Sequence, residues 1–514
     1  MNGAHTLIRT LLGCGVELCV TNPGTSEMHF VAALDDVPEM RAVLGLFEGV
    51  VTGAADGYGR MTRRPAATLL HLGPGLGNGI ANLHNARRAR TPVVNVVGDH
   101  ATHHLHLDPP LTTDIESLAR PVSRWVRACS APGSLAADTV AAVEAALGPP
   151  GGVATLVVPA DLTWGEAGEA MSARLAPAPA PVGDDAVQGA VKALRSGEPA
   201  AVLTGGDAVQ RRGLVAAARV AAATGARLLA ETFPARLERG AGIPAVERLG
   251  YLAEFTLAQL AGMRHLVLAG AAAPVSFFAY PGVPGVLVPD GCEVHVLAGD
   301  GDDAPGALEA LADALGAPER APGADAMRPG RPSGALDAHT VAAAVGALLP
   351  EGAIVSDEGN TAGIVVPGMT AGAPPHDWLC LTGGAIGQGM PVATGAALAC
   401  PDRKVLNLQA DGSAMYTLQS LWTQAREGCD VTTVILNNGS YAILELELSR
   451  VGAAPPGPRA RGMLDIGRPA LDFVALAAGM GVPATRATTA EEFTDQLGRA
   501  LAAPGPALVE AVLH

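Results

Sequence analysis

Short apolar runs rich in β-branched residues recur along this 514-residue chain, and stretches rich in Ala and Leu with helical character separate them. Alternation of strand and helix signals predicts parallel α/β layers, and the absence of a short-period repeat argues against a solenoid. The predicted strands are Thr91–Val97, Val153–Val158, Ala200–Leu203, His265–Leu268, Ala353–Val355, Val405–Leu408 and Val431–Leu436.

Two segments rich in Ala, Pro and Gly interrupt this alternation. They are Ala176–Val182 and Pro318–Pro332. Such composition is typical of linkers. The sequence therefore predicts three α/β domains, at about 1–170, 185–317 and 333–514.

Charge and cysteine content limit the partners and the compartment. The formal net charge is −16, without a block of like charges, so neither nucleic acid nor an anionic membrane is an expected partner. The apolar stretch Leu266–Pro289 contains four prolines that exclude a spanning helix. Seven cysteines without a C-x-x-C pair argue against a disulfide framework, and Met1–Leu12 lacks a signal-peptide pattern. We expect a cytoplasmic protein.

Polar residues follow two predicted strands near the C-terminus. The run 410–413 reads Ala-Asp-Gly-Ser, and Asn438 follows Asp411 by 27 residues. Parallel strands place both groups at one sheet edge, where hard oxygen ligands, a backbone carbonyl and a diphosphate suit Mg²⁺. Gly412 would let backbone N–H groups approach a phosphate. The alternative is a strand–turn–helix with an Asp cap and an Asn-Gly turn.

This pattern resembles the thiamine-diphosphate motif, G-D-G followed at that interval by N-N. The resemblance implies that Asp411, Asn438 and the Ser440 carbonyl bind Mg²⁺. It also implies that Gly412 and Ser413 lie near the diphosphate and that Tyr441 contributes to cofactor binding. Ala410 stands where the family usually has Gly.

A glutamate opens a predicted helix of small residues at 48–60. Taken alone, Glu48 is typical of a helix N-terminal charge. The A-D-G-Y pattern that follows resembles the pyrimidine-binding domain of the same superfamily. There, a buried carboxyl bonds the aminopyrimidine ring and favours the tautomer that serves as internal base. The resemblance implies that role for Glu48.

Two further segments resemble cofactor-binding parts of these enzymes. The Gly-rich run Thr382–Pro391 ends 20 residues before Asp411. It resembles the loop that bends the cofactor, which implies that Ile386 wedges between the two rings and that the Gly384 carbonyl accepts from the amino group. By the same resemblance, Asn360 and Thr361 reach the diphosphate.

The chain as a whole is most similar to benzoylformate decarboxylases and to the acetolactate synthase group. The resemblance rests on Asn22-Pro23-Gly24, on Leu70–Asn78 and on the segment after Asn438. It implies that His71 orients substrate and transfers protons, although a lone histidine is more often a structural residue. The implied substrate pocket contains the mostly apolar residues Thr25, Leu111, Phe277 and Ile443.

Departures from these families keep the reaction open. The region of the second benzoylformate decarboxylase histidine, Ser276–Gly282, contains no His. Pro110-Leu111 and Leu444 stand where pyruvate decarboxylases have paired His residues and a Glu. The acetolactate synthase Met and Trp pattern after Asn438 is also missing, and the middle segment has no clear FAD signature. The cluster His100, His103, His104 and His106 is interpreted as a loop over the active site rather than a metal site.

The resemblance implies a thiamine-diphosphate- and Mg²⁺-dependent enzyme without FAD that acts on a small 2-oxo acid. We expect decarboxylation with aldehyde release or carboligation. The alternatives are acetolactate-synthase-type condensation of two 2-oxo acids and an inactive cofactor-binding regulatory subunit. Because Glu48 and Asp411 belong to domains that face each other across subunits in this family, the resemblance also implies a homo-oligomer, commonly a dimer of dimers.

Overall fold

A computed structural model describes residues 1–175, 178–452 and 455–513. Helices cover three sheets in which parallel pairing dominates, so the predicted α/β class is confirmed. All seven predicted strands are present, and each extends one to three residues further toward its carboxyl end than the apolar pattern indicated. Polar residues at the ends of these strands remain in the sheet because parallel pairing supplies their backbone hydrogen bonds.

The first sheet lies in the N-terminal third and has six parallel strands in the order β2-β1-β3-β4-β6-β5. Its elements in chain order are α1 (Gly3–Gly13), β1 (Leu18–Asn22), α2 (Met28–Ala33), β2 (Arg41–Leu44), α3 (Glu48–Thr62), β3 (Ala66–Leu70), α4 (Leu72–Arg88), β4 (Val93–Asp99), α5 (Ile115–Ala119), β5 (Trp125–Ala128), α6 (Leu135–Leu147), β6 (Val153–Pro159) and α7 (Ala160–Trp164).

The second sheet has five parallel strands in the order β10-β8-β7-β11-β12. The elements of this part of the chain are α8 (Asp184–Leu194), β7 (Ala200–Thr204), α9 (Arg211–Thr224), β8 (Arg227–Ala230), β9 (Leu237–Arg239), β10 (Glu247–Arg248), α10 (Ala253–Leu260), β11 (His265–Ala269), β12 (Glu293–Ala298) and α11 (Ala304–Leu315).

The third sheet has seven strands in the order β17-β18-β16-β15-β13-β14-β9. Strand β9 comes from the middle of the chain and pairs antiparallel with β14. The remaining elements are α12 (Ala338–Leu348), β13 (Ile354–Glu358), α13 (Asn360–Gly363), α14 (Val366–Met369), β14 (His376–Cys380), α15 (Gly389–Ala399), β15 (Val405–Ala410), α16 (Asp411–Thr417), α17 (Ser420–Glu427), β16 (Val431–Asn437), α18 (Ala442–Arg450), α19 (Pro458–Gly462), α20 (Phe473–Gly479), β17 (Ala484–Ala487), α21 (Ala490–Ala502) and β18 (Ala507–Val512).

Both predicted linkers connect these parts outside regular helices and strands. The first two residues of Ala176–Val182 lie outside the described residues, and Ala180 forms an isolated bridge with Asp302. The segment Pro318–Pro332 joins α11 to α12 and bridges back to Ala241 through Ala324. Within the described chain, no helix combines the length and the apolar character needed to cross a membrane.

The N-terminal and C-terminal sheets share one apolar core through the contact between α3 and α15. Val51 and Ala54 of α3 belong to the same buried cluster as Val392 and Ala396 of α15. A side-chain carbon on Gly395 would lie 1.9 Å from the backbone oxygen of Ala54. The two helices therefore approach backbone to backbone, which explains why both are built from small residues.

This close approach predicts a large effect of Gly395→Ala. Because the clash is with backbone, the helices must separate, and we expect a loss of about 3 kcal/mol of unfolding free energy. The matched control is Gly189→Ala in α8, where a side-chain carbon would meet nothing within 4 Å. That change should be neutral or stabilise by up to about 1 kcal/mol. Equal thermal unfolding midpoints for the two variants would contradict the packing described here.

Candidate active site

Glu48 is the first residue of α3 and is nearly buried, with 8% of its surface exposed. Asn78 Nδ2 of α4 donates to its Oε2 at 3.0 Å. The two helices stay together through Asn82 Nδ2, which donates to the Gly49 carbonyl at 2.8 Å. Glu48 is therefore a fixed carboxylate at a helix start, with one oxygen held by a side-chain amide.

His71 caps α4 at the end of β3 and pairs with a buried carboxylate that the sequence interpretation missed. Its Nδ1 lies 2.8 Å from Glu27 Oε2, and the Gly24 N–H donates to that same oxygen at 2.8 Å. Burial raises the pKa of the Glu27 carboxyl, while attraction to His71 and the Gly24 hydrogen bond lower it. When Glu27 is charged, it accepts the Nδ1–H of His71 and leaves Nε2 free to exchange a proton.

Glu48 and His71 both lie next to Gly75. A side-chain carbon built on Gly75 would be 3.4 Å from both Glu48 Oε1 and His71 Cβ. The residue after His71, Leu72, is buried and has a φ of +48°. Left-handed backbone at a non-glycine residue costs about 1–3 kcal/mol and is frequent at functional sites. The turn that presents His71 is thus strained, which favours a functional over a structural role.

Asp411 begins α16 directly after β15 and is 2% exposed. Its carboxylate accepts from three backbone N–H groups, those of Gly412 (2.8 Å), Asn438 (3.1 Å) and Gly439 (2.8 Å). Burial raises the pKa of this carboxyl and the three N–H donors oppose that shift. The structure therefore brings Asp411 and the Asn438 turn together at one sheet edge, as the strand pattern predicted.

The other residues predicted around Asp411 are also neighbours of this edge. Asn360 Nδ2 donates to Ser413 Oγ at 2.8 Å, and Thr361 follows in α13. The Tyr441 ring packs on Gly412, where a side-chain carbon would lie 2.4 Å from it. Ser440 N–H donates to Asn438 Oδ1 at 3.0 Å. The structure thus gathers into one cluster the residues Asp411, Gly412, Ser413, Asn438, Ser440, Tyr441 and Asn360.

The loop 382–389 connects this cluster to the N-terminal helices. Asn82 Nδ2 of α4 (3.2 Å) and Thr417 Oγ1 of α16 (2.9 Å) both donate to the Gly387 carbonyl. Asn85 of α4 holds the backbone of Ala385 through both of its side-chain atoms. Ile386 at the centre of the loop is half-buried, and Gly384 is exposed with a φ of +74°.

Glu358, a second carboxylate that the sequence interpretation missed, binds the backbone of this loop. Its two oxygens accept from the N–H groups of Gly387 and Gly389, both at 2.6 Å. Gln409 Nε2 adds a third hydrogen bond at 3.0 Å. Burial raises the pKa of Glu358 to about 7, although the three donors favour its charged form. Glu358 precedes Gly359 in the Asp-Glu-Gly-Asn run, but only the fold shows that it faces the loop.

The four predicted pocket residues lie on separate segments. Thr25 is exposed at the start of a short 3₁₀ helix that ends at Glu27, and Leu111 packs against the N-terminal core. Phe277 is 46% exposed and lies 4.9 Å, between ring centroids, from Tyr251. Ile443 is half-buried in α18. The structure places Thr25 two residues before Glu27 in the chain.

The residues around Asp411 fit a magnesium ion and a diphosphate. The hydrogen-bond partners of this buried carboxylate in the described chain are backbone N–H groups, and the oxygen of Asn438 lies on the same turn. Carboxylate, amide and carbonyl oxygens are the donor set that Mg²⁺ prefers. Gly412 gives close backbone approach at the first turn of the helix. A site of this composition is of the class that holds a metal-bound diphosphate at a sheet edge.

Comparison with known proteins identifies the family to which this chain belongs. Residues 1–118 match the model of the thiamine pyrophosphate enzyme N-terminal TPP binding domain, and residues 358–511 match the corresponding C-terminal TPP binding domain. The chain is 30% identical to a benzoylformate decarboxylase of Pseudomonas aeruginosa, with 96% of both chains covered. The chain belongs to the thiamine pyrophosphate enzymes, and the predicted family is confirmed.

Two further relatives cover the whole chain. The Mycobacterium tuberculosis protein named "Putative acetolactate synthase large subunit IlvX" is 61% identical over 100% of this chain and 99% of its own. A solved thiamine diphosphate-dependent 4-hydroxybenzoylformate decarboxylase of Rhodococcus jostii RHA1 superposes with a TM-score of 0.86. It is 26% identical, and the alignment covers 100% of this chain and 99% of that one. The chain is thus similar both to decarboxylases and to a protein named for acetolactate synthesis.

Proposed function

We propose that this protein decarboxylates a small 2-oxo acid with thiamine diphosphate and Mg²⁺, and releases an aldehyde or joins the remaining carbons to a second carbonyl. The observation that carries this proposal is that Glu48 and His71 both lie next to Gly75. A fixed carboxylate and an imidazole with one free nitrogen are the two groups that cofactor activation and proton delivery require.

The proposed roles in cofactor binding follow from the Asp411 cluster and from the loop 382–389. Asp411, Asn438 and the Ser440 carbonyl would hold Mg²⁺, while Asn360, Thr361, Gly412 and Ser413 would hold the diphosphate. Gly384 would accept from the amino group, Ile386 would support the bent cofactor, and Tyr441 would cover Gly412. Bound there, thiamine diphosphate supplies an electron sink for the loss of CO₂.

The chain's own side chains act on protons and on water. Glu48 would keep a hydrogen bond to the aminopyrimidine ring, since Asn78 already fixes one of its oxygens. His71 would deliver or accept a proton at Nε2 because Glu27 occupies Nδ1. Thr25, Leu111, Phe277 and Ile443 would line the substrate side.

The proposal includes a homo-oligomer, a dimer of dimers, in the cytoplasm, with the domain division at 176–182 and 318–332. Large apolar side chains are exposed on helices that carry or follow the Asp411 cluster, namely Met415, Tyr416, Leu444 and Leu446. Exposed apolar patches of this kind mark protein contacts. A partner subunit covering them would complete the site.

Acetolactate-synthase-type condensation is the second candidate, and the 61% identical relative's name favours it. Steady-state turnover of a panel of aromatic and aliphatic 2-oxo acids, with products identified by mass spectrometry, separates the candidates. Aldehyde or mixed hydroxyketone supports our proposal. Acetolactate from pyruvate alone supports condensation, and the absence of turnover with bound cofactor supports a regulatory subunit.

His71→Ala tests the assignment of the proton-transferring group. Aldehyde release should fall by about 10²–10⁴-fold, the loss typical of a general acid–base, and the hydroxyketone fraction should not fall with it. The control is His339→Ala, which removes an exposed histidine at the start of α12. Aldehyde release within a few-fold of wild type in His71→Ala would make His71 structural.

A further inference from the structure

Two histidines and a glutamate meet at one edge of the second sheet, apart from the residues assigned above. His265 is the first residue of β11, and Glu293 is the first residue of the edge strand β12. The register places His265 beside Glu293, with His295 two residues further on. Residues opposite each other and two apart share one face of a sheet, so all three side chains point the same way.

The three side chains present ligand atoms at the spacing of a metal site. His265 Nδ1 and His295 Nε2 are 3.1 Å apart, and each lies 3.9 Å from Glu293 Oε2. In the plane of these three atoms, the point equidistant from all of them is about 2.1 Å from each, which is within the range of Zn²⁺ bonds to histidine nitrogen and carboxylate oxygen. Within the described residues, this is the group of His, Cys, Asp and Glu whose ligand atoms converge.

A second carboxylate orients one of the histidines. Glu198 Oε2 lies 3.2 Å from Nε2 of His265, the nitrogen that faces away from the other two ligands. A proton on Nε2 leaves the lone pair of Nδ1 directed at His295 and Glu293. Metal-binding histidines commonly donate their other N–H to a carboxylate in this way.

The burial of the three residues suits a site that exchanges its ion with solvent. The side chains of His265 and His295 are 11% and 17% exposed, whereas that of Glu293 is 70% exposed. Two mostly buried imidazole nitrogens at 3.1 Å can share only one proton, whereas a bound cation accepts both lone pairs. Two nitrogens and one oxygen form a donor set of borderline softness, which favours Zn²⁺ over Mg²⁺.

We propose that His265, Glu293 and His295 form a three-ligand zinc site that joins the edge strand β12 to β11, with Glu198 as a positioning residue. The alternative is a purely structural histidine pair that is hydrogen-bonded to surface carboxylates. The proposal is independent of the reaction proposed above, since none of these residues belongs to the cofactor clusters.

The test uses the untagged full-length protein, saturated with thiamine diphosphate and Mg²⁺ after chelator treatment and dialysis. Titration with Zn²⁺ alone, followed by calorimetry, should show about one tight site per chain. His295→Asn and Glu293→Gln should weaken it by more than about 100-fold, and Glu198→Gln by about 10–100-fold. Co²⁺ should give the visible absorption of a site with nitrogen ligands in wild type only.

The matched control is His103→Asn, on the exposed loop where His103 Nδ1 lies 4.0 Å from Asp161. It should leave the zinc site unchanged. Absence of a tight site in wild type, or equal affinity in wild type, His295→Asn and Glu293→Gln, would overturn the proposal. Because Glu293 is exposed, Glu293→Gln decides the matter even if His295→Asn folds poorly.

Discussion

Asp411→Ala should abolish retention of thiamine diphosphate. The substitution removes the charged ligand proposed for Mg²⁺ and leaves the negative diphosphate without its counter-ion. Breaking one buried charge interaction costs about 3–5 kcal/mol, so binding should weaken by at least about 10²-fold. Calorimetric titration of the cofactor in the presence of Mg²⁺ measures this directly.

Two further variants separate charge from folding. Asp411→Asn lacks the charge and keeps only one acceptor oxygen, either for the Gly412 N–H or for the N–H groups of Asn438 and Gly439. It should still bind the cofactor weakly, and its thermal unfolding midpoint measures the cost of the lost acceptor. Asp402→Ala changes an exposed aspartate before the other end of β15 and should bind like wild type. Unchanged cofactor affinity in Asp411→Ala would rule out the assignment of the metal site.

Glu48→Gln should bind the cofactor and lose most turnover. Glutamine can still accept from Asn78 Nδ2 through its amide oxygen, so the start of α3 should keep its structure. It cannot share a proton with the aminopyrimidine ring, and turnover should fall by about 10²–10⁴-fold. Rapid-quench measurement of proton–deuterium exchange at the thiazolium carbon of bound cofactor should show the same loss.

Glu39→Gln is the matched control for this experiment because Glu39 is an exposed glutamate of the same domain. It should exchange at the wild-type rate. Exchange at that rate in Glu48→Gln would show that another group activates the cofactor. The position of Glu48 next to His71 would then carry no evidence for the proposed function.

Local pattern predicted the α/β class and seven of the eighteen strands that the described residues form. The seven apolar runs form strands, as expected because buried parallel strands are rich in consecutive β-branched residues. Glu48 and Asp411 begin helices at the points where the spacing of the apolar residues changes. The segment 237–239 was missed because it is short and gains its place in the third sheet from antiparallel pairing with β14, about 140 residues later. Such non-local pairing leaves no periodic signal in the sequence.

Contacts between distant segments also explain the missed site residues. Glu27 lies in the same turn as the motif residues Asn22–Gly24. Its role depends on contact with His71, which follows β3 and is 44 residues later in the chain. Glu358 and Asn85 act through the loop 382–389, and neither carries a spacing that predicts this. The zinc candidate likewise depends on the register of β11 and β12.

The most direct test of the central claim is the release of labelled CO₂ from 2-oxo acids that carry the label in the carboxyl carbon. We predict release that requires both added thiamine diphosphate and Mg²⁺ and that falls by at least about 10²-fold in Glu48→Gln. If the wild-type protein binds the cofactor and releases no labelled CO₂ from any acid of the panel, or releases it equally without the cofactor, the account is wrong.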